Sequence, residues 1–228
     1  MADPHRLRRL FAGASMLAAP ALYVTGIVLD PALRSGNVPG AYGRHPEWVS
    51  ASAAVLHWSW VILVPGIIGM VHLIRERGVL FGHIAGGLAL LGIVNFSALM
   101  FGDFFYSRLE AEFGADEGSR LADEAYAYAG AAFGFQIPGF LGLLGVLLLG
   151  LGLAYGRRAP WWAPFAMIVG ILVGPVFPIG TLVGGVLYFA GAGVIGMRML
   201  RMSDAEWSGF TPLAAQAESP STRKVATA

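Results

Sequence analysis

From Trp161 to Leu200, forty residues pass with a single charge, Arg198. As one helix they would extend about 60 Å, twice the ~30 Å hydrocarbon core of a bilayer. The stretch Gly174-Pro175-Val176-Phe177-Pro178-Ile179-Gly180 supplies a turn near the midpoint. The run therefore reads as two short membrane helices joined by a tight bend, with one broken, re-entrant segment as the alternative. A water-soluble domain has no place for such a run, and this one is not isolated.

Further apolar runs cover Leu10–Leu29, Trp48–Ile74, His83–Phe105 and the second half of a segment from Ser119 to Tyr155. The composition agrees: 56% hydrophobic and 13% charged is too apolar for a soluble chain. Glycine, 32 of 228 residues, lies inside the apolar runs, where it lets helix backbones approach closely. The expected fold is all-α, a polytopic membrane protein with six transmembrane helices over 1–202 and a disordered tail over 203–228. A basic start, His5-Arg6-Leu7-Arg8-Arg9, precedes the first run. A cleaved signal peptide has a shorter apolar core, so a retained first helix is expected.

Charge sets the orientation. On the side of the termini lie Arg6, Arg8, Arg9, Arg75, Arg77, Arg157, Arg158, Arg198, Arg201, Arg223 and Lys224. The other side holds Arg34, Arg44, Arg108 and Arg120. The positive-inside rule makes both termini cytoplasmic, in a multi-pass protein of the cell membrane. Fourteen arginines to one lysine suggest a GC-rich, bacterial coding sequence.

The hairpin from Trp48 to Tyr106 carries His57, His72, His83, Asn95 and Asp103. Polar side chains facing lipid are costly, so they are expected to point inward and partner one another. On the six-helix topology His57, Asn95, Asp103 and Gln136 fall in the outer half of the bilayer, on the second, third and fourth spans. They form the candidate binding site, with His57 and Asp103 as a proton-linked pair. Packing glue, each residue hydrogen-bonded across helices and nothing more, is the competing reading. His72 and His83 flank the short loop at the opposite face, as haem ligands or as interfacial histidines. A second histidine pair at another depth, which a dihaem protein would show, is missing, and no cofactor or metal is expected.

Without cysteine there is no disulfide, thiolate site or thiol nucleophile. The chain has no His-Glu-x-x-His, Gly-x-Ser-x-Gly or phosphate-loop motif, and no catalytic residue is assigned. A net charge of +1 gives no reason to expect a nucleic-acid partner. Partners are the lipid bilayer, an unidentified small molecule and, through glycine-rich helix faces, a second copy of the chain. Pro65-Gly66-x-x-Gly69 is echoed by Pro138-Gly139-x-x-Gly142, and Ala19-Pro20 by Ala163-Pro164, a faint internal repeat.

The expected function is binding or permeation of a small solute or ion through a polar pocket among the second, third and fourth spans. The alternatives are an intramembrane enzyme acting on a lipid-like substrate, with His57 as base and Asp103 orienting it, and a haem-binding membrane oxidoreductase subunit.

Overall fold

In lipid a chain pairs its backbone polar groups within one segment only by forming a helix. The structure, a computed structural model, describes residues 3–35, 38–173 and 179–209, and no strand occurs among them. The helices in order are α1 (Pro4–Leu29), α2 (Pro31–Ser35), α3 (Ala41–Arg44), α4 (Pro46–Leu73), α5 (Val79–Leu99), α6 (Gly102–Phe113), α7 (Ala115–Tyr126) and α8 (Ala129–Ala131). A π-helical turn, Ala132–Gln136, leads into α9 (Ile137–Tyr155), followed by α10 (Trp162–Val173), α11 (Gly180–Arg201) and α12 (Asp204–Ser208).

Five stretches are long and apolar enough to cross a membrane: α1, α4, α5 continued by α6, α8 through to α9, and α11. The protein is a polytopic all-α membrane protein. The sixth apolar helix, α10, has 12 residues and a length of about 18 Å. It runs antiparallel to α11: a Cβ on Gly170 would meet the Gly184 carbonyl oxygen at 2.5 Å, and one on Gly191 would meet that of Ala163 at 2.4 Å. The run from Trp161 is thus two helices, and the bend expected at 174–178 lies outside the described residues.

The helices close a ring in which α11 packs on α1, α1 on α4, α4 on α5, α5 on α9, and α9 on α10, which returns to α11. Met16, Leu63, Ile67, Ile93, Leu149 and Met199 fill its interior and are fully buried. Leu80, Leu91, Val94 and Phe133 point outward, and in a membrane they face hydrocarbon. The α5–α9 contact is the closest. A Cβ on Gly92 would lie 2.1 Å from the Gly142 Cα, so neither position has room for a side chain. The two Pro-Gly-x-x-Gly motifs do similar work: Gly66 and Gly69 lie against α1, and Gly139 and Gly142 against α5. Gly130 and Gly134, by contrast, have nothing within 4 Å of a would-be Cβ.

Three of the boundaries that differ from the sequence reading bear on the site and the tail. The third helix ends at Leu99, and Asp103 falls in the first turn of the separate α6. Ser119, where the fourth segment was expected to start, lies within α7, which begins after Gly114, whose φ of 85° lets the chain fold α7 back on α6. The tail expected to be disordered from Ser203 starts as α12, capped by the Ser203 hydroxyl, which accepts from Glu206 N at 3.1 Å. Trp207 is buried and its ring lies 4.5 Å from that of His72. Arg9 fixes this end, donating to Asp204 Oδ1 at 3.0 Å and to the Leu200 carbonyl at 2.6 Å, where a cation suits the C-terminus of α11. Residues 210–228 lie outside the described part.

Both described ends of the chain, with Arg75, Arg77, Arg157 and Arg158, therefore share one end of the bundle, the basic end. The opposite, acidic end is covered by α2, α3, α6 and α7.

Candidate functional site

A helix that stops at an Asp-Pro pair leaves a carboxylate among free backbone amides. Asp30, fully buried, uses Oδ1 to accept from Ala32 N at 2.9 Å and Leu33 N at 2.8 Å, starting α2. Its Oδ2 accepts from the Tyr42 hydroxyl at 2.9 Å and lies 3.4 Å from Ser52 Oγ on α4. Glu110, also buried, repeats the device from α6: it accepts from Gly43 N at 2.8 Å and from Ser119 Oγ at 3.0 Å. Ser107 donates to the Tyr42 carbonyl at 3.1 Å. These bonds sew α3, α6 and α7 into a cap over the acidic end.

Under the cap lies a cavity of about 1150 Å³, bordered by Tyr42, Asp103, Tyr106, Tyr126, Gln136 and Phe140, with Glu110, Asp116, Asp123 and Glu124 around it. Its five carboxylates face one guanidinium, Arg120, which is occupied on α7 by Glu117, at 2.5 and 2.9 Å, and by Glu124. Among the described residues the Asp103 side chain has no hydrogen-bond or ion-pair partner. Burial pushes the Tyr42 hydroxyl pKa well up, and the charges of Asp103, Asp30 and Glu110 add to the rise. Tyr126 is raised in the same way by burial, Asp103 and Tyr106. Both phenols stay neutral, in a strongly negative surround.

Gln136 closes the π-helical turn and donates from Nε2 to the Tyr126 carbonyl at 3.2 Å. Such turns re-aim side chains and occur frequently at functional sites. Asp103 and Gln136, two of the four residues expected to form a site, therefore line one cavity.

His57 lines a different one, about 950 Å³, among Trp58, Ser97, Phe101, Phe104, Phe105 and Phe135. Its Nδ1 lies 2.7 Å from Ser97 Oγ, and no hydrogen bond joins it to Asp103. The two cavities share only Leu99, Tyr106 and Tyr126. Gly102 leaves the room that Tyr126 occupies there, since any Cβ would collide with its hydroxyl. Asn95 borders neither cavity; its amide donates to Leu91 O of its own helix at 2.7 Å.

At the basic end the two histidines flanking the loop are not brought together. His72 Nε2 lies 2.9 Å from the Trp207 carbonyl, to which Arg75 also donates, while exposed His83 bonds Val79 O at 2.8 Å. No cluster of three metal-ligating side chains occurs among the described residues.

Sequence reasoning missed Asp30, Tyr42, Ser97 and Glu110. The Asp30-Pro31 pair was a legible signal, since a carboxylate at a helix stop caps the next turn. Glu110 was hidden among five other acids between residues 106 and 124.

No family model matches the chain, and no curated protein or solved structure is significantly similar to it.

Proposed function

We propose that the protein binds a small cationic solute, an organic ammonium in particular, in the cavity at its acidic end. One observation carries the reading: Asp103, a carboxylate without hydrogen-bond or ion-pair partner among the described residues, borders a cavity whose only guanidinium among those residues is already held by Glu117 and Glu124. A cation entering there meets an unneutralised carboxylate and the aromatic side chains of Tyr42, Tyr106 and Tyr126, a combination that suits an ammonium group. By the positive-inside argument the acidic end is external, so the cavity would draw on the outside medium.

Binding is favoured over passage in this conformation. Toward the basic end the interior is a packed apolar core of Leu63, Ile67, Met70, Ile93, Leu149 and Leu153, with the Gly92–Gly142 contact across it. A charge crossing that core would lose its hydration without compensation.

The test is a ligand panel on the purified full-length chain. Tetramethylammonium, a primary alkylamine and a guanidinium compound should each raise the thermal midpoint, and acetate and phosphate should not. Stabilisation by the anions alone overturns the proposal.

A further inference from the structure

The cavity around His57 has a chemistry of its own. None of its lining residues is Asp, Glu, Lys or Arg. Its volume of about 950 Å³ falls at the upper end of small-molecule sites. His57 lies eleven residues into α4, about 16 Å along it from Pro46, which is bilayer depth on the acidic side. Trp58, Phe101 and Phe105 line the cavity and are nevertheless 55%, 63% and 60% exposed. The mouth is therefore apolar and sits on the perimeter of the bundle.

Inside, one polar group is left over. Ser97 Oγ has His57 Nδ1, at 2.7 Å, as its sole hydrogen-bond partner among the described residues. A proton on Nδ1 would leave the serine hydroxyl without an acceptor. Nδ1 also lies 3.5 Å from the Ser97 carbonyl oxygen, the limit of a hydrogen bond, and the 2.7 Å contact decides between the two: the hydroxyl donates, Nδ1 accepts, and the ring proton sits on Nε2. That Nε2–H has no partner among the described residues, and an unmade hydrogen bond in an apolar surround is unfavourable.

We infer that this cavity binds a neutral lipid from the bilayer, whose ester or ketone carbonyl accepts from His57 Nε2–H and whose chain lies along Phe101, Phe104, Phe105 and Phe135. A plain hydrocarbon would leave the donor unpaired. A fatty-acid anion or a cationic amphiphile would bring a charge into a cavity with none to compensate it. Ser97 is a positioning residue, acting through the tautomer of His57. The inference does not rest on the cation site, and its ligand is uncharged.

The test uses the full-length chain in dodecyl maltoside, a detergent without a carbonyl. The probe is the methyl ester of a diazirine-bearing palmitic acid, crosslinked by light and mapped by peptide. Labels should concentrate on residues 97–109 and 131–135, and methyl palmitate should displace the probe at least about tenfold more effectively than hexadecane or palmitate, as one hydrogen bond allows. His57→Phe keeps an aromatic ring without the donor and should erase the difference between ester and hydrocarbon. Ser97→Ala should reduce it several-fold, and Ser97→Thr should restore it. Labels scattered round the perimeter, equal displacement by hexadecane, or an ester preference that survives His57→Phe overturns the inference. Independently of how His57→Phe folds, the ¹⁵N resonances of wild-type His57 provide a second reading: an Nε2–H tautomer whose Nε2 signal moves on ester addition supports the site, and an unmoved signal overturns it.

Discussion

Replacing Glu110 by alanine should detach the cap from the acidic end. The carboxylate makes two charge-assisted bonds, from Gly43 N at 2.8 Å and Ser119 Oγ at 3.0 Å. It is pressed between glycines: a Cβ on Gly43 or Gly118 would come within 2.7 and 2.5 Å of the Glu110 backbone. Each bond contributes about 1.5–3 kcal/mol, and truncation leaves a buried amide without an acceptor, so Glu110→Ala should cost about 3–5 kcal/mol locally. Glu110→Gln is milder by design. Its Oε1 still accepts from Gly43 N, while the Ser119 hydroxyl rotates to accept from the new amide, so the cost should be about 1 kcal/mol. The assay is hydrogen exchange over α3 and α7 in detergent, because the loss is confined to the cap and a global melt would miss it. Protection at Gly43 should fall at least about a hundredfold in the alanine variant and about fivefold in the glutamine variant. Equal effects of the two substitutions, or unchanged protection in both, would refute the assignment of Glu110 as the fastening of the cap.

Tyr188 is buried and its hydroxyl has no hydrogen-bond partner among the described residues, so Tyr188→Phe should be neutral or stabilise by about 1 kcal/mol; a clear loss of thermal stability would contradict this. Gly92→Leu should disrupt the α5–α9 contact and abolish monodisperse elution, whereas Gly87→Ala, with nothing within 4 Å, should raise the thermal midpoint slightly through helix propensity. Arg9→Ala should release α12 and speed proteolysis at its edge, because it removes the bonds to Asp204 and to the end of α11. An impermeant thiol reagent on intact cells should label Glu112→Cys at the acidic end and spare Glu76→Cys at the basic end; the reverse pattern would place the cavities on the other side.

The membrane class was legible because it depends on sums over long runs, which single residues do not alter. The two helices within the Trp161–Leu200 run were legible for the same reason, since no bilayer accommodates their combined length. The site was legible only in part. Asp103 and Gln136 stood out as polar groups in apolar surroundings, and the structure does bring them to one cavity. His57 stood out equally, but which way it points depends on the helix break at Met100 and Phe101, and no residue announces that break. With α6 a separate helix, Asp103 turns toward Tyr42 and Gln136, and His57 is left to Ser97. Glu110 carried no local sign of burial because its cover comes from α3 and α7 folding over it, a tertiary contact without a local signature.

The most direct measurement on the central claim is equilibrium binding of tetramethylammonium to the full-length chain and to Asp103→Asn, at low and at physiological salt. The account predicts saturable binding at one site per chain, weakened about tenfold or more in Asp103→Asn, because one close charge is removed from a half-buried surround. The same affinity in both proteins, or no saturable binding of any cation, would contradict it.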